Sequence, residues 1–135
     1  MVSVSVSDKA LLKTKAYIDG NWVDSDSGET YEVTNPANGE VIARVAKCGA
    51  AETRRAIEAA ARAMDGWRSK SAKQRAAIMR KWFNLMMENQ EDLARIMTAE
   101  QGKPLFESRG EIAYGASYVD WFAEEAKRVY GDTIP

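Results

Sequence analysis

The stretch from about Phe106 to Val129 constrains the fold more than any other part of the chain. It reads as one long helix with two apolar faces. Ile112, Ala116, Val119, Phe122, Ala123 and Ala126 recur at helical spacing and form one stripe. Tyr114, Tyr118 and Trp121 form another, four and then three residues apart. A helix that is apolar on two sides has to be packed on two sides. A chain of 135 residues leaves little material to cover both. The expectation is therefore an element set belonging to a larger protein, with Gly131 to Pro135 reading as the run into a following strand.

The rest of the chain divides in two. From Tyr17 to Ala46 it alternates short apolar runs with turn residues. Asp19-Gly20 lies between Tyr17-Ile18 and Asn21-Trp22-Val23, which predicts a hairpin, because both turn residues tolerate positive φ. Ser25 to Gly28 predicts a second turn. Tyr31 to Val33 reads as a strand, and Asn35-Pro36-Ala37-Asn38-Gly39 turns the chain into another over Val41 to Ala46. From Ala50 onward the spacing is helical. The first helix is predicted over about Ala51 to Met64, with Ile57, Ala60, Ala61 and Met64 inward and Asp65-Gly66 as its end. The second opens at Ser71, whose partner Gln74 completes a capping box, and carries Ile78, Trp82, Leu85 and Met86 as its apolar stripe. A third runs near Glu91 to Ala99, with Leu93, Ile96 and Met97 inward, Gly102 as a left-handed stop and Pro104 beyond it. The fold class is α/β: a β-hairpin and strand region followed by about four helices. Residues 1–16 are expected to be a flexible extension and 17–135 the structured part.

Composition removes several function classes. Net charge is −1, and the basic residues are interspersed with acidic ones, so nucleic acid and anionic membranes are not expected partners. The sequence has no histidine, which removes His-based triads and His-containing zinc sites. Cys48 is the only cysteine, so no internal disulfide forms. No apolar run has signal-peptide or membrane-spanning length, and the cytoplasm is the default compartment.

The residues that could carry chemistry are few. Cys48 precedes a predicted helix start and adjoins Lys47, but it lacks a histidine base, and an incidental role is the better account. Glu88, Glu91, Asp92, Glu100, Glu107, Glu111, Glu124 and Glu125 alternate with lysine and arginine, as on a solvated face. None has calcium-loop spacing. Glu100-Gln101-Gly102-Lys103-Pro104 has one glycine and lacks phosphate-loop spacing, so it reads as a helix stop. Tyr114, Tyr118 and Trp121 either line a small-molecule pocket or bury against a further domain, and the two readings are compatible.

Several of these stretches, in this order, resemble the opening of aldehyde dehydrogenases. They are Tyr17 to Trp22, the Asn35 to Ala43 turn and strand, the alanine-rich Ala56 to Trp67, Arg75 to Leu85, and Glu100 to Pro104. The likeness runs from about Tyr17 to Pro135. Gly110 to Tyr114, Trp121 to Ala126 and Val129 to Pro135 further resemble bacterial succinate-semialdehyde dehydrogenases. Relatives that act on glutarate semialdehyde share much of that segment.

The resemblance implies the N-terminal part of an NAD- or NADP-dependent enzyme that oxidises succinic semialdehyde to succinate. In that family a cysteine thiolate attacks the aldehyde, hydride passes to the nicotinamide, and a glutamate activates water to hydrolyse the thioester. Those residues and the glycine-rich nucleotide turn come later in the family's chains, so no catalytic or cofactor-binding residue is assigned here. Cys48 does not match the surroundings of the catalytic cysteine. The resemblance implies that Tyr114 and Tyr118 line the aldehyde tunnel, and that Val33, Thr34 and Glu100 lie near a monovalent cation. It also implies a homodimer or homotetramer once complete, and an isolated chain that is inactive and binds no dinucleotide tightly. The alternative is a free-standing helical docking module that uses the Tyr114/Trp121 face.

Overall fold

A computed structural model describes residues 4–135. Two separate antiparallel strand pairs precede four helices. β1 (Ala16–Ile18) and β2 (Asn21–Val23) form the expected hairpin. Asp19 (φ 50°) and Gly20 (φ 78°) both sit in the left-handed region, which matches the right-handed twist of the strands they join. β3 (Thr30–Thr34) pairs with β4 (Val41–Ala46), with Val33 opposite Ala43 and a register shift at Val33/Thr34. The four helices are α1 (Ala50–Arg68), α2 (Ala72–Glu88), α3 (Gln90–Gln101) and α4 (Leu105–Glu125). α4 packs on α2 and α3, while α1 rests against β1.

The helix ends follow local chemistry. Ser71 and Gln74 exchange bonds at the start of α2: the Gln74 N–H donates to Ser71 Oγ at 3.3 Å, and the Ser71 N–H donates to Gln74 Oε1 at 2.8 Å. Gly102 (φ 79°) ends α3 as predicted. Two boundaries differ from the sequence reading. α1 runs through Gly66 to Arg68, because one glycine costs a helix only about 1 kcal/mol, and the Ser69 hydroxyl binds the Gly66 carbonyl at the true end. α4 stops at Glu125 rather than Val129. There the bonds tighten: Lys127 N–H donates to the Glu124 carbonyl and Arg128 N–H to that of Glu125.

The inner faces also differ from expectation. Among the described residues the buried apolar ones are Ala59, Ala76, Ala94, Ala116 and Ala123, so the helices meet through alanines. In α2 the inward face carries Ala72, Ala76, Met79 and Phe83, while Ile78, Trp82 and Leu85 point outward. In α1, Ile57, Ala60, Ala61 and Met64 are exposed. In α4, Phe122 lies outside the inner stripe formed by Leu105, Ser108, Ile112, Ala116 and Ala123. The reason is common to all three. Periodicity locates apolar stripes, but helices approach one another most closely where residues are small. The larger side chains are left for a further layer.

The surface area agrees. The chain exposes 9640 Å², whereas a compact monomer of its mass exposes about 7,000 Å². Part of the excess is the extended tail after α4. Much of the remainder is apolar side chains on α1, α2 and α4.

Of the expected flexible extension, residues 1–3 lie outside the described residues. From Ser7 onward the segment is tied down. The Ser7 and Asp8 N–H groups donate to the Asp92 carboxylate on α3, and the Ala46 N–H of β4 donates to the Thr14 carbonyl.

Candidate functional site

The outer face of α4 is the best candidate site. The hydroxyls of Tyr114 and Tyr118 are hydrogen-bonded, and their rings meet edge to face with centroids 5.0 Å apart. One helical turn separates them, so the helix itself sets this pairing. The hydrogen bond to Tyr114 raises the pKa of Tyr118. Tyr118 continues into an open hollow lined by Ser117, Trp121, Phe122, Glu125 and Arg128. Both tyrosines are at least half exposed, and this face is turned away from α2 and α3. What the face offers is aromatic wall and hydroxyl contacts, with the charged side chains of Glu125 and Arg128 at the edge of the hollow.

The inner side of α4 is fixed by charge. Arg80 of α2 reaches Asp120 and Glu124 of α4 and lies over the Phe83 ring. At the opposite end Glu91 joins α3 to α4. It accepts from Arg109 at 2.7 and 3.0 Å and from Arg95 at 2.9 Å. Arg109 first, then Arg95, lowers the Glu91 pKa to about 2. A depressed carboxylate pKa stabilises the fold above the ordinary value of 4.5, and that contribution is lost as pH falls through about 2. Because the side chains are nearly half exposed, the effect on stability is small and screened by salt. A carboxyl-detected NMR titration of Glu91 should show a midpoint near 2, moving upward in Arg109→Gln. A native midpoint already at the ordinary value would contradict the bridge.

Glu100 lies on the β4 side of α3, where it lines a hollow with Ala43, the register partner of Val33. Val33 and Thr34 stand one strand further away, on β3, and are not among the walls of that hollow. Among the described residues no cluster of three acidic or cysteine side chains is arranged to hold a metal ion. Cys48 is exposed and unpaired. Of the carboxylates read from sequence as solvated, Glu91, Glu111, Glu124 and Glu125 form ion pairs, such as Glu111 with Lys103 and Glu125 with Arg128.

Two buried carboxylates carry structure that sequence reasoning missed. Glu52 accepts the Asp26 N–H at 2.7 Å and the Gly49 N–H at 2.9 Å, and the backbone N–H groups of Asp26, of Glu52 itself and of Gly49 lower its pKa. Its position three residues into α1 was the available signal. Asp92 is lowered likewise, by the N–H groups of Ser7 and then Asp8. Its partners lie 84 and 85 residues away, so no local pattern points to them.

Among the described residues both sheets are antiparallel pairs. Two stretches singled out in the sequence do meet. Pro36, in the Asn35–Gly39 turn, packs against Gly102 at the end of α3, so that a Cβ built on Gly102 would stand 2.8 Å from Pro36 Cγ.

A small strand region joined to a helical layer by this Pro36–Gly102 contact, with an aromatic face on the last helix, matches one family model across residues 22–135. The chain belongs to the aldehyde dehydrogenase family. It is 62% identical over 132 residues to the glutarate-semialdehyde dehydrogenase of Pseudomonas putida, covering 98% of this chain and 28% of that protein. It is 58% identical over 132 residues to the succinate-semialdehyde dehydrogenase [NADP(+)] of Escherichia coli K12, covering 98% of this chain and 27% of that protein. A crystal structure of succinate-semialdehyde dehydrogenase from Burkholderia pseudomallei superimposes with a TM-score of 0.93 at 60% identity, over 97% of this chain and 27% of that one. The chain thus spans just over a quarter of the length of these relatives and forms an incomplete aldehyde dehydrogenase domain.

Proposed function

We propose that the chain is the N-terminal part of an NAD(P)-dependent dehydrogenase that oxidises a short dicarboxylic semialdehyde, with succinic semialdehyde as the preferred substrate and glutaric semialdehyde as the rival. The observation carrying this reading is the similarity across nearly the whole chain to enzymes named for those two aldehydes. A Pseudomonas putida 3-sulfolactaldehyde dehydrogenase is 60% identical over the same length, so the shared chemistry is a short aldehyde bearing a distal anion. Within this segment Tyr114 and Tyr118 supply the wall of the aldehyde approach. Glu100, with the backbone at Val33 and Thr34, flanks a monovalent cation. The nucleophile, the water-activating carboxylate and the nicotinamide site belong to the remainder of the polypeptide. The complete protein works in the cytoplasm as a homodimer or homotetramer.

The test uses the polypeptide at the length its source cells make. Nicotinamide reduction is followed with each semialdehyde and each of NAD⁺ and NADP⁺. A higher kcat/KM for succinic than for glutaric semialdehyde is expected, and no turnover of either would overturn the assignment. The exposed apolar faces of α1, α2 and α4 also suit a second reading, a helical docking module. An intact mass near 15.0 kDa in the cell would favour the module, and a mass several times larger favours the enzyme.

A further inference from the structure

α4 carries a carboxylate on its buried stripe. Ala116 and Ala123 are buried, and Asp120 stands between them on the same side of the helix. The Oδ1 atom of Asp120 is buried and meets no hydrogen-bond donor in good geometry, and the Arg80 guanidinium of α2 lies against it as an ion pair. The other arm of Arg80 donates to Glu124, one turn further along, at 3.1 Å. Glu124 also pairs with Lys127 at 2.7 Å, so Asp120 is the carboxylate that depends on Arg80.

Among the described residues, Arg80 forms every ion pair between α2 and α4. The other polar ties of α4 to a neighbouring helix lie near its start, where Arg109 meets Glu91 and Gln90, and Ser108 meets Thr98, all across to α3. Packing defines the rest of α4 less sharply. The buried apolar residues of α2 and α4 among those described are Ala76, Ala116 and Ala123. An alanine methyl is too short to interlock with the side chains of a facing helix, so such surfaces set separation better than rotation. Arg80 supplies what the alanines lack. Its two arms grip successive turns of α4, which sets both the rotation and the axial position of that helix against α2. The guanidinium is itself braced on its own helix, with its central carbon 5.4 Å from the centroid of Phe83.

Tyr114, Tyr118 and Trp121 stand on the opposite side of α4 from Ala116, Asp120 and Ala123. A rotation of the helix is therefore passed directly to them. Turning a helix by about 10° moves a side-chain tip about 6 Å from its axis by about 1 Å. Displacing a positioning group by about 1 Å is enough to weaken its effect on a reaction by up to about a hundredfold.

We propose that Arg80 is a positioning residue for the aldehyde: by gripping Asp120 and Glu124 it fixes the rotation of α4, and with it the placing of the Tyr114–Tyr118 face. This role rests on the reading of that face as the wall of the aldehyde approach. Because Arg80 works from the far side of the helix, its loss weakens aldehyde binding and leaves the chemical step in place.

The test uses the polypeptide at the length its source cells make, with the melting temperature measured beside kcat and KM. Arg80→Met keeps apolar contact with Phe83 and removes both ion pairs. It should raise the KM for succinic semialdehyde about tenfold, with kcat and the dinucleotide KM within about twofold of the parent. It should also lower the melting temperature, because the Asp120 carboxylate is left uncompensated. Adding Asp120→Asn removes that charge without restoring the grip on α4. The double variant should therefore recover melting temperature while its KM stays raised about tenfold. A KM that returns to the parent value together with the melting temperature would overturn the positioning role, because Arg80 would then act on stability alone. So would an unmoved KM in Arg80→Met, or a fall in kcat as large as the rise in KM. A parent that turns over neither semialdehyde would overturn the functional reading and the positioning role with it. Turnover by the parent with an unmoved KM in both variants overturns the positioning role alone.

Discussion

Produced as a 135-residue polypeptide, the chain will reduce neither NAD⁺ nor NADP⁺ in the presence of succinic or glutaric semialdehyde, and it will bind an apolar dye strongly. Exchanged for the corresponding residues of the Escherichia coli succinate-semialdehyde dehydrogenase, the same residues will support turnover within about tenfold of the parent, a barrier change of about 1.4 kcal/mol. The chemical half of this expectation rests on what the segment offers. The α4 face presents tyrosine hydroxyls and ring surface. Cys48 is exposed, and among the described residues both sheets are antiparallel pairs. A wall can orient an aldehyde, but it cannot form the thiohemiacetal or take up hydride.

The physical half rests on surface. Buried apolar residues among those described are alanines, while Ile57, Ile78, Trp82, Tyr114 and Trp121 are each at least 46% exposed. Five aromatic and branched side chains in that state, on three helices, exceed the scattered exposure normal for a monomer. In the exchanged protein the remainder of the enzyme covers them. Identity of 58% over 132 residues is the ground for expecting the exchanged segment to be accommodated. Dye binding should therefore vanish on exchange while activity appears. Semialdehyde-dependent reduction by the 135-residue chain, measured against a no-protein control, would contradict the assignment of catalysis to the remainder. An exchanged protein that folds, loses dye binding and still turns over nothing would count against the family reading of this segment's role.

The turns were readable because they depend on one or two residues each. Asp19-Gly20, Gly39 and Gly102 occupy positive φ, where glycine and aspartate pay the least steric penalty, and composition alone marks such places. Ser71 and Gln74 were readable for the same local reason. Facing was less so. The stripe Ile78, Trp82, Leu85 is a better amphipathic pattern than Ala72, Ala76, Met79, Phe83, yet the second faces α4. Hydrophobic periodicity assumes that the largest apolar residues face the nearest neighbour. That assumption fails when the nearest neighbour is met through alanines and a more distant layer takes the large residues. Of the candidate site, the Tyr114–Tyr118 pair follows from its four-residue spacing. The Asp92 bonds and the Glu52 bond to Asp26 do not, because their acceptor oxygens meet backbone N–H groups remote in sequence. Backbone donors carry no side-chain signature at all.

Replacing Gly102 by alanine should be among the most damaging single changes in this segment, at about 2–4 kcal/mol in the complete polypeptide. Two independent costs meet at this position. Gly102 has φ 79° and ψ 4°, and a left-handed conformation costs a residue with Cβ about 1–2 kcal/mol. The new Cβ would also stand 2.8 Å from Pro36 Cγ, a distance that forces the ring or the helix end to shift. The costs are separable. Pro36→Ala removes Cγ and leaves Cβ, which lies at an ordinary 3.8 Å. In that background Gly102→Ala should cost only the backbone component. The double-mutant cycle should therefore give a coupling of about 1–3 kcal/mol, with the double variant more stable than the sum of the two single changes. Gly102→Asn isolates the other component, because asparagine tolerates the left-handed region but carries the same Cβ. Urea midpoints at constant slope measure all five species. A coupling indistinguishable from zero would mean that the Pro36 ring moves aside freely. The contact between the Asn35–Gly39 turn and the end of α3 would then be simple adjacency, and the strand region would depend on the Asp92-held segment for its attachment to the helices.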